Sequence, residues 1–192
     1  LQDNNEIPVI GLGTWRLSGR ECILVVEQAL EIGYTHIDTA QIYNNESEIG
    51  KAIRKIERDK IFITSKVWLD QLHYRDVISA CEGSLKRLNT HYIDLYLIHW
   101  PNSRIPIKET LEAMSDLQRW GLVRSVGVSN FTISHIKNAL KESSVPIVTD
   151  QVEFHPYLYQ RELLEYCSAH NIVLTAWAPL ARGEIFNDPT LT

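Results

Sequence analysis

A chain of 192 residues with 44% hydrophobic and 22% charged side chains can bury one sizeable core, so a single domain over residues 1–192 is expected. A formal charge of −5 without any Lys/Arg run argues against nucleic acid as a partner. No apolar stretch approaches the roughly 20 residues that cross a bilayer, and the opening LQDNNEIPVI has neither a basic nor an apolar leader pattern; a soluble, cytoplasmic protein without a membrane partner is the expectation.

Residues 11–15 supply a first strand pattern, and an apolar helix pattern over 22–32 stops at Gly33, where a left-handed residue can end a helix. A short run over 35–38 follows. In GYTHIDTAQIYNNESEIG (33–50) the polar residues, above all Asp38 and Tyr43, appear where that run should emerge from a core. Next come a helix pattern over 46–56, a strand over 61–66, a helix over 74–88 closed by Asn89, and a strand over 93–99. A helix over 107–120 ends at Gly121, and strand 125–129, helix 132–140, strand 147–151, helix 160–170 with Asn171 behind it, and strand 172–177 complete the alternation. The stretch KAIRKIERDK (51–60) reads as a solvated helix face and exit loop. Cys22, Cys81 and Cys167 are far apart and each sits in a helix pattern; free buried thiols in a reducing compartment are expected.

Repeated β-then-α units with near-continuous apolar strands imply a parallel sheet covered by helices, either doubly wound or closed into a barrel. Composition does not separate the two, but position does. Asp38, Lys66, His99, Ser129 with Asn130, Gln151 and Trp177 stand at the carboxyl ends of six successive strand patterns. An open sheet draws its ligand groups from two or three strands at a switch point, whereas a barrel gathers every strand end around one mouth. The pattern therefore favours an α/β barrel. Gly11, Leu12 and Gly13 are followed by Thr14, Trp15 and Arg16 rather than a third glycine, so the dinucleotide fingerprint of an open sheet is missing.

The strand-end residues suggest proton delivery. A free tyrosine titrates near ~10, too weak an acid to protonate an alkoxide efficiently at neutral pH. A lysine cation about 4 Å away would favour the phenolate by up to ~4 kcal/mol at an effective dielectric of ~20, before desolvation subtracts part of it. Lys66 can play that part for Tyr43, Asp38 can keep Lys66 charged and in place, and His99 can donate to a carbonyl oxygen. A carbonyl protonated in this way must also accept a hydride, which no side chain supplies, so a nicotinamide cofactor is implied. Ser129, Asn130 and Gln151 offer the donors and acceptors to hold a carboxamide, and Trp177 can lie flat on the ring. Trp15, Trp68 and Trp100 would form apolar walls for a substrate. Simpler roles suit the rest. His36, His73, His91, His135, His155 and His170 show no metal-ligand spacing and read as surface or packing residues. Tyr34, Tyr92, Tyr96, Tyr157, Tyr159, Tyr166 and Trp120 read as packing or rim residues.

Seven motifs in order carry a resemblance to a known family: IPVIGLGTW (7–15), HIDTAQIYNNESEIGKAI (36–53), ITSKVW (63–68), LYLIHWP (95–101), GLVRSVGVSNF (121–131), QVEFHP (151–156) and AWAPLARG (176–183). The chain resembles an aldo-keto reductase over essentially all of its length, most nearly a compact, prokaryote-type member. The resemblance implies a (β/α)8 TIM barrel and a catalytic tetrad of Asp38, Tyr43, Lys66 and His99 with Tyr43 as general acid. It implies cofactor contacts from Gly13, Thr14, Asp38, Ser129, Asn130, Gln151, Trp177, Leu180 and Gly183, the last two in the loop that faces pyrophosphate. It places Trp15, Trp68, His99 and Trp100 on the substrate, with no metal. Tryptophan at 177 departs from the tyrosine usual in the family but keeps the aromatic face. The implied reaction is NADPH-dependent reduction of aldehydes, ketones, dicarbonyls or keto sugars by a monomer; NADH stays open, because the 2′-phosphate clamp belongs to a part of the family barrel beyond these motifs. The family barrel has eight strands and this chain ends just after its seventh, so the eighth strand and last helices are expected to be missing, leaving two unpaired sheet edges. Two other readings share the fold, a regulatory or redox-sensing subunit and a catalytically dead truncated paralogue.

Overall fold

The computed structural model describes residues 1–191; Thr192, the last residue of the expected domain, lies outside them. Strands β1 (Leu12–Gly13), β2 (His36–Asp38), β3 (Phe62–Val67), β4 (Ile93–Ile98), β5 (Val123–Ser129), β6 (Ile147–Glu153) and β7 (Val173–Trp177) pair in parallel and in sequence order. Helices α1 (Gly19–Glu31), α2 (Glu46–Ile53), α3 (Tyr74–Leu88), α4 (Ile107–Arg119), α5 (Ile133–Glu142) and α6 (Arg161–Ala169) fill the six crossovers. This is seven-eighths of a (β/α)8 barrel. Among the described residues β1 and β7 are the sheet edges, yet the sheet curls enough that the Arg182 guanidinium, beyond β7, lies 5.7 Å from the Trp15 ring, beyond β1. No helix among the described residues is long and apolar enough to cross a membrane.

Local chemistry explains the boundaries. Helix α1 buries Cys22, Val26 and Ala29 along one face. It stops because Gly33 takes φ 103°, a conformation that costs glycine least, while its N–H bonds Leu30 O at 3.2 Å. Gly121, Asn89 and Asn171 take the same left-handed form behind α4, α3 and α6. Strand β1 is only two residues long, against the five expected. Thr14 turns both its N–H and its hydroxyl onto Asp38 O at 3.0 Å, and Arg16 at φ 70° ends the ladder.

Strand β4 is buried throughout. Tyr96 and Ile98 face the helix-side core, which also takes in Ile37, Ile63, Val77, Leu117 and Val126. Leu95 and Leu97 face the barrel interior with Val148, and the same alternation turns His99 inward at the mouth. The interior is tight: a Cβ on Gly127 would meet the Leu97 and Thr149 side chains at 2.7 Å. Two ionic clusters brace the shell. Glu46 of α2, buried, accepts from Ser65 of β3 at 2.6 Å and from Arg87 of α3 at 2.8 Å. At the amino ends of the strands Asp94 accepts from Arg58 at 2.6 Å.

Candidate active site

The carboxyl end of β2 begins the site. After Asp38 the backbone of Thr39 pairs with Thr64 O, and a short 3-10 turn, Gln41–Tyr43, is closed by Asn44 at φ 56°. Asn45 fixes this excursion from within. It is fully buried, accepts from the Thr39 hydroxyl at 2.8 Å and donates to Thr14 O at 2.8 Å and Leu17 O at 3.0 Å. The β1 and β2 loops are thereby joined, and Tyr43 is returned over the mouth. Sequence reasoning gave Asn45 no role; the Asn44–Asn45 pair, turn-type residues just before the helix pattern over 46–56, was the available signal.

Lys66, on β3 and 1% exposed, donates to Asp38 Oδ1 and, at 2.8 Å, to Thr39 O. Its ammonium lies 5.3 Å from the centre of the Tyr43 ring. His99, beyond β4, stands edge-on to Tyr43 at 5.6 Å and to Trp68 at 5.1 Å between ring centres. The expected tetrad therefore converges from β2, β3 and β4.

The electrostatics differ from the sequence expectation at Tyr43. Its pKa is raised, first by burial and also by Asp38, with Lys66 acting in the opposite sense without prevailing. Burial outweighs the Lys66 cation, part of whose effect is offset by the Asp38 carboxylate it contacts. Burial first, then Lys66, pushes the His99 imidazole down to about 3. His99 is neutral at physiological pH, with Nδ1 lacking a hydrogen-bond partner among the described residues.

On the far side of the mouth the carboxamide-type residues form a hydrogen-bonded group. Asn130, left-handed at φ 61°, donates to His99 O at 2.9 Å and to Ser129 Oγ at 3.0 Å, while its Oδ1 accepts the Trp177 indole N–H at 3.0 Å. Ser129 Oγ donates to Gln151 O at 2.8 Å. Gln151 reaches across to β2, its Nε2 donating to Asp38 Oδ2 at 2.6 Å. Neither the Gln151 nor the Trp177 bond was foreseen. Among the described residues, what remains unspent is one lone pair on Asn130 Oδ1 and, on Gln151, one N–H and Oε1, a set that fits a primary carboxamide.

The other expected contacts are spread more widely. Thr14 is fully buried with its hydroxyl committed to Asp38 O, and Gly13 pairs with Asp38 in register. Leu180 opens a turn in which Ala181, Arg182 and Gly183 are all left-handed, with φ of 47°, 54° and 93°, and Gly183 N bonds Leu180 O at 2.9 Å. Trp68 packs on His99. Trp15, half exposed, carries Arg16 at 4.2 Å on its ring and stands on the β1 side of the mouth. Trp100 lies on the opposite side, in a groove of about 780 Å³ shared with Asn130, Phe131, Leu158, Tyr159 and Trp177. The three tryptophans thus stand at different places around the mouth. Trp120 is half exposed at the end of α4. The cysteines are buried and free.

Residues 9–189 match the model of the Aldo/keto reductase family. Glyoxal reductase of Bacillus subtilis is 42% identical, across 100% of this chain and 70% of its own length. Methylglyoxal reductase DkgA of Escherichia coli is 42% identical across 95% of this chain and 67% of its own. Among solved structures, an aldo/keto reductase from Brucella melitensis superposes with TM-score 0.93 at 43% identity, covering 99% of this chain and 74% of that one. A Bombyx mori aldo-keto reductase in complex with NADP gives 0.87 at 35%, covering 93% and 64%. The chain thus spans about two thirds of the length of most of these relatives.

Proposed function

Since this chain belongs to the aldo-keto reductase family, we propose that it forms the catalytic part of an NADPH-dependent reductase of small aldehydes and dicarbonyls, with Tyr43 as general acid. The observation that carries the reading is the convergence of Tyr43, His99 and the Lys66–Asp38 pair at one mouth. The names of two relatives, glyoxal and methylglyoxal reductase, support a compact dicarbonyl substrate. The free, buried thiols support a reducing compartment such as the cytoplasm.

When bound, NADPH supplies the hydride. Asn130 and Gln151 would take its carboxamide, Trp177 its ring face, and the turn from Leu180 to Gly183 its phosphates. His99, neutral, donates to the substrate carbonyl oxygen and holds it beside the phenol. Tyr43 gives up its proton to that oxygen as negative charge develops, and Lys66 stabilises the phenolate left behind. A raised phenol pKa keeps Tyr43 protonated before the reaction, so the acid is loaded and its proton leaves only when the oxyanion forms. Trp68, Trp15 and Trp100 exclude water around this transfer.

The test is loss of NADPH absorbance with glyoxal, methylglyoxal and simple aldehydes, repeated with NADH. Tyr43→Phe should lower kcat about 10²- to 10⁴-fold; equal turnover in the two proteins would refute the general-acid assignment.

A further inference from the structure

We propose that Gln151 is a positioning residue for the proton donor as well as a holder of the carboxamide, so that both halves of the site form one hydrogen-bonded unit; the inference rests on the reductase reading above. Gln151 is 6% exposed at the end of β6. Its amide crosses the mouth to Asp38 on β2, a strand that is not its neighbour in the sheet. Asp38 therefore has both carboxylate oxygens occupied, Oδ2 by Gln151 and Oδ1 by Lys66. A carboxylate tied at both oxygens has its rotation fixed, and with it the direction in which it draws the Lys66 ammonium. Lys66 also donates to Thr39 O, and its ammonium lies 5.3 Å from the centre of the Tyr43 ring. The order of dependence is Gln151, Asp38, Lys66, Tyr43.

The same strand end is also tied to Ser129 and Asn130, the turn that would hold the nicotinamide carboxamide. Gln151 O accepts from Ser129 Oγ at 2.8 Å and from Asn130 N at 3.0 Å. Because Nε2 is held by Asp38, the amide cannot flip without losing that bond, and Oε1 stays available to a ligand N–H. A residue that only holds the carboxamide acts through the cofactor, by its affinity and the placement of its ring, so its loss multiplies with that of Asp38. A residue that also holds Asp38 leaves a defect in kcat that saturating NADPH does not repair and that does not multiply with the loss of Asp38.

Gln151→Met keeps the volume and removes the donor. At saturating NADPH its kcat should fall about ten- to a hundredfold, as expected for losing a hydrogen bond to a charged group, in addition to a rise in the KM for NADPH. The Asp38→Asn and Gln151→Met losses should fail to multiply in the double variant. Gln151→Glu, nearly isosteric, provides a second reading if the methionine variant does not fold: its kcat should recover relative to wild type as pH falls and a proton shared with Asp38 restores a donor. Wild-type kcat in Gln151→Met with only KM raised, losses that multiply, or a Gln151→Glu pH profile identical to wild type would each overturn the coupling. A wild-type protein without NADPH-dependent turnover would overturn the reductase reading and this one with it, an outcome distinct from failure of the coupling alone.

Discussion

Replacing Asp150 with asparagine should stabilise the protein above neutral pH and leave it unchanged in acid. Asp150 is fully buried beside Gln151 on β6. Its Oδ1 accepts from Phe131 N at 3.4 Å, and its Oδ2 has no partner among the described residues. Burial raises the carboxyl from 3.8 to about 7, against a smaller opposing effect of the Phe131 N–H. Below the ordinary carboxylate range the group is protonated whether the chain is folded or not, so it costs nothing. As pH rises from there the unfolded chain releases the proton while the folded one keeps it, so stability falls, and the loss is complete once pH passes about 7. A gap of about three pH units at ~1.36 kcal/mol each sets a ceiling of about 4 kcal/mol. Asparagine retains an acceptor for Phe131 and carries no charge to desolvate. Cys167, the titratable group facing Asp150 from α6, is held up at about 11 by burial and by Asp150, so it stays protonated over the whole range. Urea unfolding of both proteins at about pH 4, 6 and 8 measures the difference. It should be near zero at the lowest pH and reach roughly 1 to 4 kcal/mol in favour of Asp150→Asn at the highest. A difference independent of pH, or a less stable variant at pH of about 8, would refute the argument.

Lys66→Met strands the Asp38 carboxylate in a buried setting and should cost about 3 to 5 kcal/mol in denaturant unfolding, with part of the loss recovered when Asp38→Asn is added; strictly additive losses would show that the pair does not act as a unit. Because His99 is held at about 3, the pH profile of turnover should show no imidazole inflection between about pH 5 and 8. An inflection in that range that disappears in His99→Gln would show that the ring titrates there.

Much of the site was legible because its residues stand at strand ends, where the backbone alone dictates convergence. Asp38, Lys66 and His99 follow three neighbouring strands, so their meeting needed only the alternation of β and α patterns and the parity that turns His99 the same way as Leu95 and Leu97. Helix ends were legible through Gly33, Gly121, Asn89 and Asn171, each at positive φ. What escaped depends on distance across the mouth rather than along the chain. The Gln151–Asp38 bond requires knowing how wide the barrel is, and the Trp177–Asn130 bond requires the tilt of one indole. The direction at Tyr43 was missed for another reason: the sequence shows a lysine and its carboxylate partner, but not how deeply the phenol is buried, and burial outweighs the Lys66 charge. The three tryptophans were expected as apolar walls; the sequence does not show that Trp68 packs on His99 while Trp15 and Trp100 lie on different sides of the mouth, because loop geometry after β1 and β4 decides where the last two stand.

The strictly sequential strand order has a kinetic consequence. Among the described residues each pairing joins a strand to the next one in the chain, as β3 to β4 and β4 to β5, so each step closes a loop of one crossover. Loop-closure entropy rises only slowly over such lengths, and a parallel sheet, usually slow to assemble, is here divided into short-range steps. Strand β4, buried along its whole length, is the natural nucleus: it can form with β3, α3 and β5 while the edges are still open. Growth from this centre toward β1 and β7 would bring Asp38 of β2 and Gln151 of β6 into reach of one another only after the strands between them have paired.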